Sequence, residues 1–199
     1  MDESKKFPEL SVILAFGDSE DSIGHTVRDA IRHLTALGKT FELIAVNEGS
    51  RDNSLAVLRL LADRTPGGML SVVNRDSSGR VFCAGAMQAT GKDLLLLRAH
   101  SNVGPLAPLG LALHRLAQGH DAVIVPGRFV VCRRDTASGA IARARADSLE
   151  FERRFLREAQ LLSVLTLGLP RAATLANPLV RLREFTLASL RKLSTNPVR

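Results

Sequence analysis

Five short apolar runs alternate with stretches of helical periodicity, and that alternation constrains this chain more than any other feature. The runs cover residues 11–16, 41–46, 69–73, 94–97 and 122–125, each the length of a buried strand. Between the first two, Ile23, Val27, Ile31 and Leu34 recur at four-, four- and three-residue steps. That spacing places them on one face of a helix over about residues 22–37, with Gly38 as its stop. Asn53 or Ser54 caps a second helix carrying Leu55, Leu58 and Leu61, and Pro66-Gly67-Gly68 ends it. A helix of small residues follows over 81–90 and another over 105–118. Strand and helix in this order, joined by right-handed crossovers, predict an α/β fold: a mostly parallel sheet with helices on both faces.

The pattern changes after Arg128. Residues 148–167 and 178–193 look helical, separated by Gly168-Leu169-Pro170. Charge changes with it. Residues 1–139 carry 16 Lys and Arg against 15 Asp and Glu, whereas residues 140–199 carry 11 against 5, so nearly all of the net +7 sits in the last sixty positions. The chain divides on this reading into a core over 1–139 and a basic helical extension over 140–199. The last helix sets Leu179, Leu182, Phe185 and Leu190 among Arg181, Arg183, Arg191 and Lys192. Such a surface suits an anionic membrane, a protein partner, or packing against the chain's own sheet.

Composition removes some classes. There is no Trp or Tyr, and a protein that stacks nucleic-acid bases needs aromatics, so a nucleic-acid partner is not expected. Cys83 and Cys132 have no pairing pattern and read as reduced core thiols. The start lacks an apolar leader, and no apolar run nears the ~20 residues a bilayer span needs. The expected location is cytoplasmic, at most peripheral at the inner face of the membrane.

Ligands of open parallel sheets bind beyond the carboxyl ends of the strands. Three segments should therefore converge on one crevice: Phe16-Gly17-Asp18, Asn47-Glu48-Gly49-Ser50 and Arg98-Ala99-His100.

The second of these belongs to the run Val46-Asn47-Glu48-Gly49-Ser50-Arg51-Asp52-Asn53-Ser54. It resembles the V-D-D-G-S-x-D-x-S/T segment of the GT-A glycosyltransferases that use nucleotide sugars. Further pieces keep the order and spacing of that family. Residues 12–20 resemble its V-I-P-x-Y-N-E-x-E opening, with Phe16 in the Tyr position. Gly79-Arg80 with Cys83-Ala84-Gly85 resembles G-K-G…N-A-G. Ala89-Thr90-Gly91-Lys92-Asp93 resembles the A-x-G-D-Y entry to the D-x-D strand. Residues 121–129 resemble D-V-V-x-G-S-R-Y/F, and residues 167–171 the L-G-L-P-x-R of dolichol- and polyprenyl-phosphate sugar transferases. The resemblance implies a GT-A fold with a helical C-terminal tail, and nucleotide contacts from Phe16, Asn47, Glu48, Arg80, Arg98, His100 and Arg128.

The departures matter as much. Arg98-Ala99-His100 stands where the family has its metal-binding D-x-D, and no acid occurs between Asp93 and Asp121. No catalytic residue is assigned, and no divalent metal or other cofactor is expected. Arg98 can hold a diphosphate as a fixed cation or simply face solvent. Glu48 serves a ribose or a helix cap, and Asp52 reads as a cap. Three functions remain open: a degenerate transferase retained as a binding or scaffolding module, an active metal-independent transferase using a phosphate-bearing acceptor such as a polyprenyl phosphate, and a basic adaptor working through residues 140–199.

Overall fold

The computed structural model describes residues 7–75, 79–99 and 106–168. His100 and the helix expected over 178–193 lie outside the described residues. The order of elements is β1 (Leu10–Phe16), α1 (Glu20–Ala36), β2 (Phe41–Asn47), α2 (Ser54–Arg64), β3 (Leu70–Val73), α3 (Val81–Gln88), β4 (Asp93–Arg98), α4 (Leu109–Ala117), β5 (Ala122–Val125), β6 (Phe129–Arg133), α5 (Arg134–Ala144), α6 (Phe151–Glu158) and β7 (Val164–Thr166). The seven strands form one sheet in the order β3-β2-β1-β4-β6-β5-β7. All neighbouring strands are parallel except β6, which runs antiparallel to both β4 and β5.

The central strands explain the apolar runs. Every residue of β1 is buried, as are Leu94–97 in β4, because both faces of the sheet are covered. On one face Ile13, Ile44, Val46, Leu94, Leu96, Ile124 and Val130 join a core with Phe82 of α3, Ile141 of α5, and Phe151 and Phe155 of α6. The α3 helix lies close to the sheet because Gly85 has no side chain: a Cβ there would collide with Cγ2 of Ile13 and come within 3.2 Å of Val46. Helix α1 buries Ile23, Thr26, Val27, Ala30 and Leu34, keeping to the predicted face, and α4 packs against β5 and β6.

Two expectations need correction. Residues 129–133 form β6, a strand the sequence reading did not contain. Its Phe129-Val130-Val131-Cys132 run returns through a tight turn in which Gly127 has φ +68° and Arg128 N–H donates to the Val125 carbonyl at 3.0 Å. Residues 148–167 are not one helix. The Phe151/Phe155 spacing sustains only α6, after which Val164–Thr166 pairs parallel with β5. Backbone and side chain of Asp121 fix that pairing: Asp121 N–H donates to the Ser163 carbonyl at 2.9 Å, and Ser163 N–H donates to Asp121 Oδ2 at 2.9 Å. Helix α5 runs through residue 139, and Phe151, Phe155 and Ala159 join the core. Among the described residues no helix is long and apolar enough to cross a membrane.

Candidate functional site

Parallel register aligns the ends of β1, β2 and β4. Phe16 pairs with Asn47, and Ala15 pairs with Arg98. The next residues continue the ladder: Glu48 N–H donates to the Phe16 carbonyl and Ala99 N–H to the Ala15 carbonyl, both at 2.7 Å. Arg98 therefore stands two strands from Asn47, about 10 Å at ordinary strand spacing.

The loop after β2 is built largely from side chains that cap backbone amides. Asn47 is buried; its Oδ1 accepts from Ser50 N–H at 2.9 Å, and its Nδ2 donates to Asn74 Oδ1 at 2.8 Å. Asp18 Oδ1 accepts from Arg51 N–H at 2.6 Å. Asp52 accepts from Glu20 N–H at 2.8 Å and Ser54 N–H at 2.9 Å, while Glu20 accepts from Asn53 N–H at 3.1 Å and its Nδ2 at 3.0 Å. Each acid thus serves the first turn of the other's helix, α1 or α2, where the unpaired amides and the helix dipole favour negative charge. Burial is the largest single influence on the Asp52 carboxyl and opposes ionisation. The hydrogen bonds from Ser54, Glu20 and Ser19 together outweigh it, so the pKa lies below the usual aspartate value.

Glu48 faces a loop a hundred residues away. Its Oε1 accepts from Ser148 N–H at 2.7 Å and its Oε2 from the Ser148 hydroxyl at 2.6 Å. The same loop accepts Arg80 N–H at the Ala146 carbonyl, 3.0 Å. Arg80 and Arg145 are the only non-glycine residues with positive φ among those described, at 59° and 37°. Both lie at this joint, where α3 begins and α5 ends. Backbone held in the left-handed region costs about a kcal/mol or more and clusters at functional sites.

Four enclosed side-chain polar atoms have no hydrogen-bond partner among the described residues. Three of them, Ser50 Oγ, Arg75 Nε and Arg98 Nη1, lie beyond or at the carboxyl ends of β2, β3 and β4. The fourth, Asp93 Oδ1, is at the opposite end of the sheet. Unpaired buried donors call for an explanation, and two guanidiniums near the carboxyl ends of neighbouring strands are suited to an anion.

The predicted residues separate on this geometry. Asn47, Glu48 and Arg98 come to one end of the sheet, as does Arg128, which is exposed in the β5–β6 turn. Arg80 is exposed at the start of α3. Phe16 is 1% exposed, so its ring belongs to the core. Arg75 and Ser148 were not among the candidates. Arg75 had a signal, since it follows β3 by two residues and the strand-end rule applies to it equally. Ser148 had none, because its partner is remote in sequence.

The donors at the end of β4 do not fit a hard divalent cation. Arg98 is a cation, Ala99 has no donor atom in its side chain, and the sequence supplies no carboxylate from residue 94 to 120. Among the described residues no three His, Cys, Asp or Glu side chains group as a metal site.

No family model matches the chain. Undecaprenyl-phosphate 4-deoxy-4-formamido-L-arabinose transferase of Pseudomonas paraeruginosa is 29% identical over 130 residues, covering 64% of this chain and 37% of that protein. The transferase of the same name from Edwardsiella ictaluri is 25% identical over 125 residues, with 62% and 38% coverage. The chain therefore spans well under half the length of these curated relatives. Among solved structures, a mannosyltransferase from Pyrobaculum calidifontis, in complex with GDP-Man and Mn2+, superposes with a TM-score of 0.64 at 14% identity, covering 98% of this chain and 67% of that one. Glucosyl-3-phosphoglycerate synthase from Mycobacterium tuberculosis, in complex with Mn2+, UDP and phosphoglyceric acid, gives 0.59 at 14% identity with 96% and 80% coverage. The chain has the GT-A fold and is glycosyltransferase-like.

Proposed function

We propose that this protein binds the diphosphate of a nucleotide or nucleotide sugar at the carboxyl end of its sheet, and that it acts as a binding module without metal-dependent sugar transfer. The observation carrying this reading is Arg98: it occupies the last position of β4, with an enclosed Nη1 that has no partner among the described residues, where the family resemblance implies metal-binding carboxylates. A guanidinium there neutralises diphosphate charge directly, as a planar two-donor fork. Arg75 and the α3 entry at Arg80 supply further positive charge around the crevice.

The test is calorimetric titration of UDP, GDP and their sugars into the wild-type protein and Arg98→Ala. Binding by the wild type that weakens about tenfold or more in the variant supports the reading, since a charge-assisted hydrogen bond contributes roughly 1.5–3 kcal/mol. Equal affinities, or no binding of any nucleotide, would remove it.

A second reading is transfer to a phosphate-bearing acceptor without metal. The similarity to undecaprenyl-phosphate sugar transferases favours it. An acceptor that is already anionic reduces the need for a general base. Turnover of a nucleotide sugar distinguishes this reading from the first.

A further inference from the structure

The sheet carries a recess at the end opposite the strand termini that hold Asn47 and Arg98. The segments entering β1 and β4 meet the first residues of α5 around an open volume of about 560 Å³. Phe7, Pro8, Glu9, Lys92, Arg134 and Asp135 are among the side chains lining it. The β-ladder brings them together. Asp93 N–H donates to the Glu9 carbonyl and Arg134 N–H to the Lys92 carbonyl, both at 3.0 Å. Glu9, Lys92 and Arg134 therefore stand at the ends of the neighbouring strands β1, β4 and β6. The seven residues of β1 separate this recess from the carboxyl ends by about 20 Å. Its volume is in the range that takes a small molecule.

The charges around it are unequally engaged. Glu9 accepts from the Lys39 ammonium at 2.8 Å through Oε1 and from Thr40 N–H at 3.2 Å through Oε2. Asp135 accepts from Thr136 N–H at 2.8 Å, in the first turn of α5, where the helix dipole favours its charge. Both acids thus serve the protein's own donors. The cations keep donors to spare. Arg134 spends Nη1 on the Ala89 carbonyl at 2.8 Å, and the rest of its guanidinium has no hydrogen-bonding partner among the described residues. The Lys92 ammonium is exposed and has neither a hydrogen-bonding nor an ion-pair partner among them. Beside these cations Phe7 is 72% exposed, with half-buried Pro8 next to it, so the recess has an apolar wall as well as a basic one.

We propose that this recess binds a small organic anion with an apolar body, its headgroup held by Lys92 and Arg134 and its body resting on Phe7 and Pro8. An ammonium and a partly free guanidinium suit a carboxylate, sulfonate or phosphate headgroup. An exposed ring and a proline gain from covering by an apolar body. The inference stands on this recess alone and does not depend on the nucleotide reading.

The test is fluorescence titration of the full chain with anilinonaphthalene sulfonate, an aryl anion, and with phenylnaphthylamine, its uncharged counterpart. Four proteins are compared: wild type, Lys92→Gln, Phe7→Ser and Arg98→Ala. Wild type should bind the sulfonate at one saturable site, and more tightly than the neutral dye. Lys92→Gln should weaken the sulfonate about tenfold and remove the preference for it over the neutral dye. Phe7→Ser should weaken both dyes, and Arg98→Ala should change neither. Both replaced side chains in the recess are exposed, and melting temperatures check that the variants fold. Sulfonate affinity equal to wild type in either Lys92→Gln or Phe7→Ser would overturn the proposal. So would a loss in Arg98→Ala, which would move the dye to the opposite end of the sheet, or the absence of saturable binding by wild type.

Discussion

Ser148 grips both oxygens of Glu48, one through its backbone N–H at 2.7 Å and the other through its hydroxyl at 2.6 Å. The pair ties the end of β2 to the loop between α5 and α6. Ser148→Ala removes one of two charge-assisted bonds and should cost about 1–2 kcal/mol, whereas Glu48→Ala should cost about 2–3 kcal/mol because the Ser148 N–H loses its acceptor too. The double variant should cost less than the sum of the two. Urea denaturation of the four proteins reads the coupling directly, and strict additivity would mean that the two side chains act independently.

Gly85→Ala tests how closely α3 sits on the sheet. The added methyl would collide with Ile13 and press on Val46, both fully buried, so neither the helix nor β1 can give way easily. Overpacking of this kind costs about 1–3 kcal/mol. A melting temperature unchanged from wild type would show that α3 is mounted less tightly than the structure has it.

Acid stability should depend on Glu42. It accepts from the Ser11 hydroxyl at 2.6 Å, from Thr90 N–H at 2.7 Å, from the Thr90 hydroxyl at 2.8 Å and from Gly91 N–H at 3.3 Å. Burial is the largest influence and raises its pKa, but the four hydrogen bonds together bring it below the ordinary glutamate value of 4.5. A depressed folded-state pKa stabilises the protein above the unfolded value, and that contribution disappears as pH falls through the lower folded value. Asp93 has the opposite sign: burial outweighs the nearby Lys92, Arg133 and Lys39 and raises its pKa, so its ionisation opposes folding at neutral pH. Glu42→Gln should therefore flatten the loss of stability below about pH 4.5, and Asp93→Asn should leave neutral stability unchanged or improved. Denaturant midpoints from pH 3 to pH 7, in about unit steps, measure both; a steeper acid limb in Glu42→Gln would contradict the first.

These contacts mark where the sequence was and was not readable. The central strands were legible because burial on both faces makes them unbroken apolar runs, as in β1 and Leu94–97. The convergence of the strand ends was legible because parallel register carries the termini of β1, β2 and β4, with Asn47 and Arg98, to one end of the sheet once the strand order is known. The β6 strand was missed because Phe129–Cys132 follows a turn without the spacing of a crossover helix, and the alternation rule gives no place to an antiparallel strand. The β7 strand was missed because its three residues follow α6 with no strong breaker, and only pairing with β5 makes them a strand. Glu48 shows the same limit at the site: its position could be read, but its partner Ser148 could not.

Metal dependence follows from the donor set at β4. If Arg98 neutralises the diphosphate, nucleotide affinity should be the same in chelator and in millimolar Mn2+ or Mg2+, within about twofold. In a carboxylate site the cation bridges protein and phosphate, and its removal weakens binding severely. Titration of UDP and GDP in the two buffers decides between them. A metal requirement would place ligands outside β4 and would remove the proposed role of Arg98.

The proposed loss of transfer is the prediction with most at stake. A leaving nucleoside diphosphate needs its developing charge stabilised, and one preorganised donor is worth roughly 3–4 kcal/mol at the transition state. Arg98 can supply part of that term. An acceptor hydroxyl also needs a base, and the chain has no acid between Asp93 and Asp121 to provide one from the segment that follows the β4 strand. Losing metal and base together should lower the rate by several orders of magnitude. With radiolabelled UDP- and GDP-sugars, no transfer to hydroxyl or polyprenyl-phosphate acceptors is therefore expected from wild type. Turnover confined to polyprenyl phosphate and abolished in Arg98→Ala would reverse the conclusion. It would show that one guanidinium replaces the metal and that an anionic acceptor makes the missing base unnecessary.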